Sequence, residues 1–83
     1  MELQQQFEAA VANSKNLTEK PSNDILLKIY SLFKQATEGD ITGDRPSGFD
    51  FKGAAKYDAW KKIEGKDKNE CMQAYIELIS SLN

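Results

Sequence analysis

One stretch of this chain is apolar on too many sides to be an ordinary surface helix. Between Asn23 and Thr37, the residues Ile25, Leu26, Leu27, Ile29, Tyr30, Leu32, Phe33 and Ala36 recur with helical spacing. They cover more than one face of that helix. Such a segment must lie at the centre of a bundle or carry a second apolar duty. Within 83 residues the available core is small, so most amphipathic faces have to be used.

Three further segments complete the pattern. Leu3, Phe7, Ala10, Val11 and Ser14 share a stripe on a first helix, about residues 3–15. Lys20-Pro21-Ser22-Asn23 breaks it and offers Ser22 as the N-cap of the second helix, about 23–37, with Asp24 in its first turn. Gly39 ends that helix, and the polar, glycine-containing run Asp40–Gly48 reads as a loop longer than a simple turn. Asp50 caps a third helix, about 51–63, with Trp60 and Ile63 on one stripe. Gly65 stops it. Asp67 and Glu70 then form a capping box for a fourth helix, about 68–82, whose apolar face is Met72, Tyr75, Ile76, Ile79 and Leu82. Nothing reads as a strand. The expectation is one all-α domain over residues 1–83. Phe7 and Ile76 should pack helix one on helix four, Trp60 should be core, and Phe49 and Phe51 should anchor the end of the loop.

Composition narrows the chemistry. The formal net charge is -2, from 11 basic and 13 acidic residues, so the overall field does not favour nucleic acid. With no histidine there is no histidine triad, no His metal ligand and no His acid or base. The single cysteine, Cys71, cannot form an internal disulfide and lacks the partners of a catalytic thiol. Asp40-x-Thr42-x-Asp44 begins like a calcium loop, but Arg45 and Phe51 stand where that loop needs Gly and Glu. The expectation is therefore no metal, no cofactor and no enzyme. Met1–Phe7 has neither a basic start nor an apolar run, and no stretch is apolar enough to span a bilayer. A cytoplasmic monomer without membrane insertion is expected.

The order of residues from Tyr30 to Trp60 says more. It runs Tyr30-Ser31-Leu32-Phe33-Lys34-Gln35-Ala36, then Gly39-Asp40, Arg45-Pro46, and Asp50-Phe51-Lys52-Gly53-Ala54-Ala55-Lys56-Tyr57-Asp58-Ala59-Trp60. About a dozen of these positions match the acyl-CoA-binding protein family in order and spacing, too many for chance. The resemblance extends from Phe7 to Tyr75 and beyond. It implies a four-helix bundle of up-down-down-up topology. It also implies a carrier of long-chain acyl-CoA that makes transient contacts with acyl-CoA-using enzymes.

The ligand so implied has three parts that want different surfaces. Its 3′-phosphate wants lysines and a hydroxyl donor. Its adenine wants a flat platform. Its acyl chain wants an apolar groove. By resemblance, Tyr30, Lys34 and Lys56 reach the phosphate, with Lys52 as a weaker neighbour. Lys15 lies close to the nucleotide and Val11 beside the adenine. Phe33 and Tyr75 match ligand-contacting rings, and Leu26 and Leu27 match positions touching the acyl chain. Taken singly, each has a plainer explanation. Tyr30 and Lys34 can be a half-buried tyrosine beside a solvated lysine, Lys52 and Lys56 a solvated face, and Tyr75 simply core. Three departures bear on binding strength. Phe33 lacks the hydroxyl of the family's usual tyrosine, Tyr57 replaces the usual tryptophan, and the chain stops early at Asn83.

Overall fold

The computed structural model describes residues 2–82, so Met1 and Asn83, the ends of the expected domain, lie outside the described residues. It contains four helices, α1 (Leu3–Ser14), α2 (Asn23–Glu38), α3 (Phe51–Lys62) and α4 (Lys68–Leu82), and no strand among the described residues. The observed ends lie within one residue of those expected from periodicity.

The caps form where their residue types direct. Ser22 Oγ accepts from the Ile25 N–H at 3.3 Å, and Asp50 Oδ1 accepts from the Gly53 N–H at 2.9 Å. Asp67 Oδ2 accepts from the N–H groups of Asn69 and Glu70 at 3.0 and 3.3 Å, which is the forward half of the capping box. Gly39 turns the chain out of α2 at φ +85°, a conformation that a side chain would strain.

Spatial order differs from chain order. α4 packs against both α1 and α2, and α3 packs only against α2. The closely packed core holds Phe7 and Ala10 of α1, Leu32 and Ala36 of α2, and Cys71, Tyr75 and Ile79 of α4. Tyr75 meets Phe7 edge-on, with centroids 5.1 Å apart, and Phe33 closes the aromatic group at 6.1 Å from Phe7 and 6.4 Å from Tyr75. Burial pushes the Cys71 thiol up, away from thiolate reactivity.

Direction is set at one end of the bundle. Trp60 Nε1, near the end of α3, donates to the Gly39 carbonyl at 2.9 Å and to Gln35 Oε1 at 3.1 Å. Gln35 Nε2 donates to Asp40 Oδ1 at 2.9 Å and to the Lys66 carbonyl at 3.1 Å. The Gly65 N–H donates to the same Asp40 oxygen at 2.7 Å. The ends of α2 and α3 and the start of α4 therefore meet around one buried glutamine. α2 and α3 run in the same sense and α4 opposes them, giving up-down-down-up. The long loop makes this geometry reachable, because parallel neighbours cannot be joined by a short turn.

That junction yields a pH prediction. Hydrogen bonds from Gln35 and then Gly65 hold the Asp40 carboxyl below the usual carboxylate range. The unfolded chain thus binds more protons near the ordinary carboxylate pKa. The contribution is complete above that pKa and is lost as pH falls through the depressed folded value. Asp40→Asn keeps an amide oxygen but not the charge. It is expected to lower the melting temperature at neutral pH and to flatten the acid limb below about pH 5. A series of thermal melts on both proteins checks this, and parallel acid limbs would refute it.

The loop itself is tied down by side chains. Arg45 forms a forked pair with Asp58 at 2.9 and 3.0 Å, and Tyr57 Oη donates to the Gly43 carbonyl at 3.3 Å. The tyrosine in place of the family's tryptophan therefore has a structural use here. Two expectations for aromatics change. Phe49 and Phe51 do not anchor the loop end: they are 94% and 76% exposed where the loop enters α3 beside the Asp50 cap, away from the packed α1–α2–α4 core. Trp60 is half-buried rather than core, with its ring edge spent on the junction hydrogen bonds.

Candidate functional site

Helical spacing brings three of the expected residues together. Tyr30 and Lys34 lie one turn apart on α2, and Lys56 arrives from α3. Lys56 Nζ sits 5.1 Å from the centre of the Tyr30 ring, and Lys34 Nζ sits 5.9 Å from it. Lys34 is also 5.7 Å from the Trp60 ring. Two ammonium groups thus lie within about 6 Å of one phenol ring, and a second aromatic ring borders Lys34. Two cations held beside a hydroxyl can receive a phosphate, which accepts several charge-assisted hydrogen bonds at once. Lys34 has an acidic neighbour as well: its Nζ donates to Glu38 Oε2 at 2.6 Å. That hydrogen bond raises the lysine above its ordinary range, so it is fully charged at neutral pH.

The other expected residues fall elsewhere. Tyr75 is 2% exposed and Phe33 packs against it, so in this conformation both belong to the aromatic core, as does the partly buried Val11 beside it. Lys52 is exposed in the first turn of α3, one turn from Lys56. Lys15 and Leu26 line an open groove of about 390 Å³ with Leu17, Pro21 and Ile29. Leu27 lines a different groove, about 340 Å³, with Ser31, Ala59 and Ile63 between α2 and α3. Neighbouring residues on a helix point about 100° apart, so Leu26 and Leu27 face different surfaces. A third groove, between α1 and α4, holds none of the expected residues. Among the described residues no group of acidic, histidine or cysteine side chains could hold a metal ion, and no helix is long and apolar enough to cross a membrane.

Two residues of this site were not read from the sequence. Trp60 follows Lys56 by four positions, and Glu38 follows Lys34 by four, so both lie on the site's face of their helices. That spacing was the available signal. Trp60 also fits an apolar stripe, and a glutamate one turn from a lysine is the usual pattern of a solvated helix face.

Comparison with known proteins bears on the family and the fold. A family model described as acyl CoA binding protein matches residues 4–79. The chain is 49% identical over 76 residues to the acyl-CoA-binding protein homolog 1 of Caenorhabditis elegans, covering 92% of this chain and 88% of that one. It is 47% identical over 83 residues to the acyl-CoA-binding protein homolog of Manduca sexta, covering 99% of this chain and 92% of that one. The crystal structure of Oryza sativa acyl-CoA-binding protein 2 superposes with a TM-score of 0.92 at 43% identity, over 98% of this chain and 90% of that one. With this match in sequence along nearly its whole length and in the arrangement of all four helices, the chain belongs to the acyl-CoA-binding protein family.

Proposed function

We propose that this protein is a cytoplasmic, monomeric carrier of long-chain acyl-CoA. It binds the thioester one to one, keeps it soluble and shielded, and delivers it to lipid-metabolising enzymes without making or breaking a bond. The observation that carries this reading is the convergence of Lys34 and Lys56 on the Tyr30 ring. It supports a phosphate site built from local cations on a chain whose formal net charge is -2. Tyr30, Lys34 and Lys56 hold the 3′-phosphate of the CoA, with Lys52 as an outer charge. Lys15 and Val11 approach the nucleotide. The groove beside Leu27, walled by Ala59 and Ile63, takes acyl methylenes. Leu26 serves the same chain from the adjoining face. Phe33 offers an apolar ring without a hydroxyl, and Tyr75 supports it from behind.

The phosphate assignment is tested by removing one partner at a time. A charge-assisted contact contributes about 1.5–3 kcal/mol. Wild-type protein should therefore bind palmitoyl-CoA about ten-fold or more tightly than 3′-dephospho-palmitoyl-CoA. Lys34→Ala should lose most of that discrimination in calorimetric titrations. If the variant discriminates as strongly as the wild type, Lys34 does not hold the phosphate.

A further inference from the structure

On the carrier reading, the phosphate of the ligand meets Lys34, yet Lys34 already has an anionic partner within the fold. Its Nζ donates to Glu38 Oε2 at 2.6 Å, and the one-turn spacing means that the helix itself delivers the carboxylate. The lysine side chain is 28% exposed and the glutamate 53%, so both remain in reach of a ligand. Glu38 is the last residue of α2. A carboxylate there faces the helix's own negative end, so helix stability does not call for an acid at this position.

We infer that Glu38 limits the affinity of the site: its carboxylate engages Lys34 and repels the incoming phosphate, so that acyl-CoA is held less tightly than the same cations would allow. Lysine has three donors and can serve carboxylate and phosphate together, so the two anions need not exclude one another. What opposes binding is their mutual repulsion, which Lys56, also beside the Tyr30 ring, offsets in part. A phosphate dianion on Lys34 would lie well inside one Debye length, about 8 Å, of the Glu38 carboxylate. Because the pair is partly exposed, the effective dielectric is high and the effect is moderate. An affinity change of about three- to ten-fold is expected.

The inference rests on the carrier reading, and the experiment separates the two. Wild type, Glu38→Gln and Glu38→Lys are titrated with palmitoyl-CoA and with 3′-dephospho-palmitoyl-CoA at low salt and at about 0.5 M salt. A thermal melt confirms that each variant is folded. At low salt, palmitoyl-CoA should bind Glu38→Gln about three- to ten-fold more tightly than wild type, and Glu38→Lys more tightly still. The dephospho ligand should change less than about two-fold, and high salt should shrink the gain. Unchanged binding by Glu38→Gln would overturn the inference, and weaker binding would overturn it and make Glu38 a positioning residue for Lys34, with the carrier reading intact in both cases. An equal gain for the dephospho ligand would also overturn it, because the repelled group would then not be the 3′-phosphate. A wild-type protein that binds neither ligand would remove the carrier reading itself.

Discussion

Palmitoyl-CoA is expected to bind at least about a thousand-fold more tightly than free CoA, although both present the same phosphates. Each methylene taken from water contributes about 0.8 kcal/mol, so a fully buried sixteen-carbon chain would contribute about 10 kcal/mol. Ordering the chain and incomplete burial reduce this, and about 4 kcal/mol already corresponds to a thousand-fold. Leu27 lines the groove between α2 and α3 that this reading assigns to the tail. Leu27→Ser exchanges an isobutyl group for a hydroxyl there. It should weaken palmitoyl-CoA binding by about ten-fold or more while leaving free CoA within about two-fold. Lys56→Ala should instead weaken both ligands by a similar factor, because both carry the 3′-phosphate. Titration of the two ligands against each variant, with a melt as the folding control, checks the division. If Leu27→Ser weakens free CoA as much as palmitoyl-CoA, the acyl chain does not run past Leu27.

The largest effect on stability is expected at Tyr75. Its side chain is 2% exposed and packs against the rings of both Phe7 and Phe33, at the meeting of three helices. Truncating a buried aromatic to alanine costs about 3–5 kcal/mol. A domain of this size holds only about 4–12 kcal/mol in total. Tyr75→Ala should therefore shift the urea midpoint strongly or leave the protein unfolded. Tyr75→Phe keeps the ring and removes only the hydroxyl. It should remain close to wild type in urea, and its affinity for palmitoyl-CoA should show whether the hydroxyl touches the ligand. Wild-type affinity in that variant assigns Tyr75 to packing, whereas a loss of ten-fold or more assigns it a direct contact.

Local order was written plainly in the chain. The spacing of apolar residues, the caps Ser22, Asp50 and Asp67, and the breaks at Pro21, Gly39 and Gly65 determine four helices to within a residue. Each of these signals acts within a few positions, so no long-range contact is needed to read it. The pair Tyr30 and Lys34 was legible for the same reason, since one helical turn places them on one face. The family resemblance supplied the step from one helix to another, from Lys34 to Lys56.

Tertiary structure decided what faces what. Periodicity assigns a stripe to Trp60 but not the neighbour that the stripe will meet. Only the junction of α2, α3 and α4 shows its indole N–H spent on Gln35 and Gly39. The exposure of Phe49 and Phe51 follows from how a loop leaves the bundle, which hydrophobicity alone does not encode. Leu26 and Leu27 are adjacent in sequence and alike in chemistry, yet they line different grooves, because which surfaces a helix offers depends on where its partners sit. Burial and long-range pairing are properties of the assembled bundle. A residue's own type and its near neighbours determine the helix it joins, and only the packing of that helix on others determines whether it meets core, solvent or ligand.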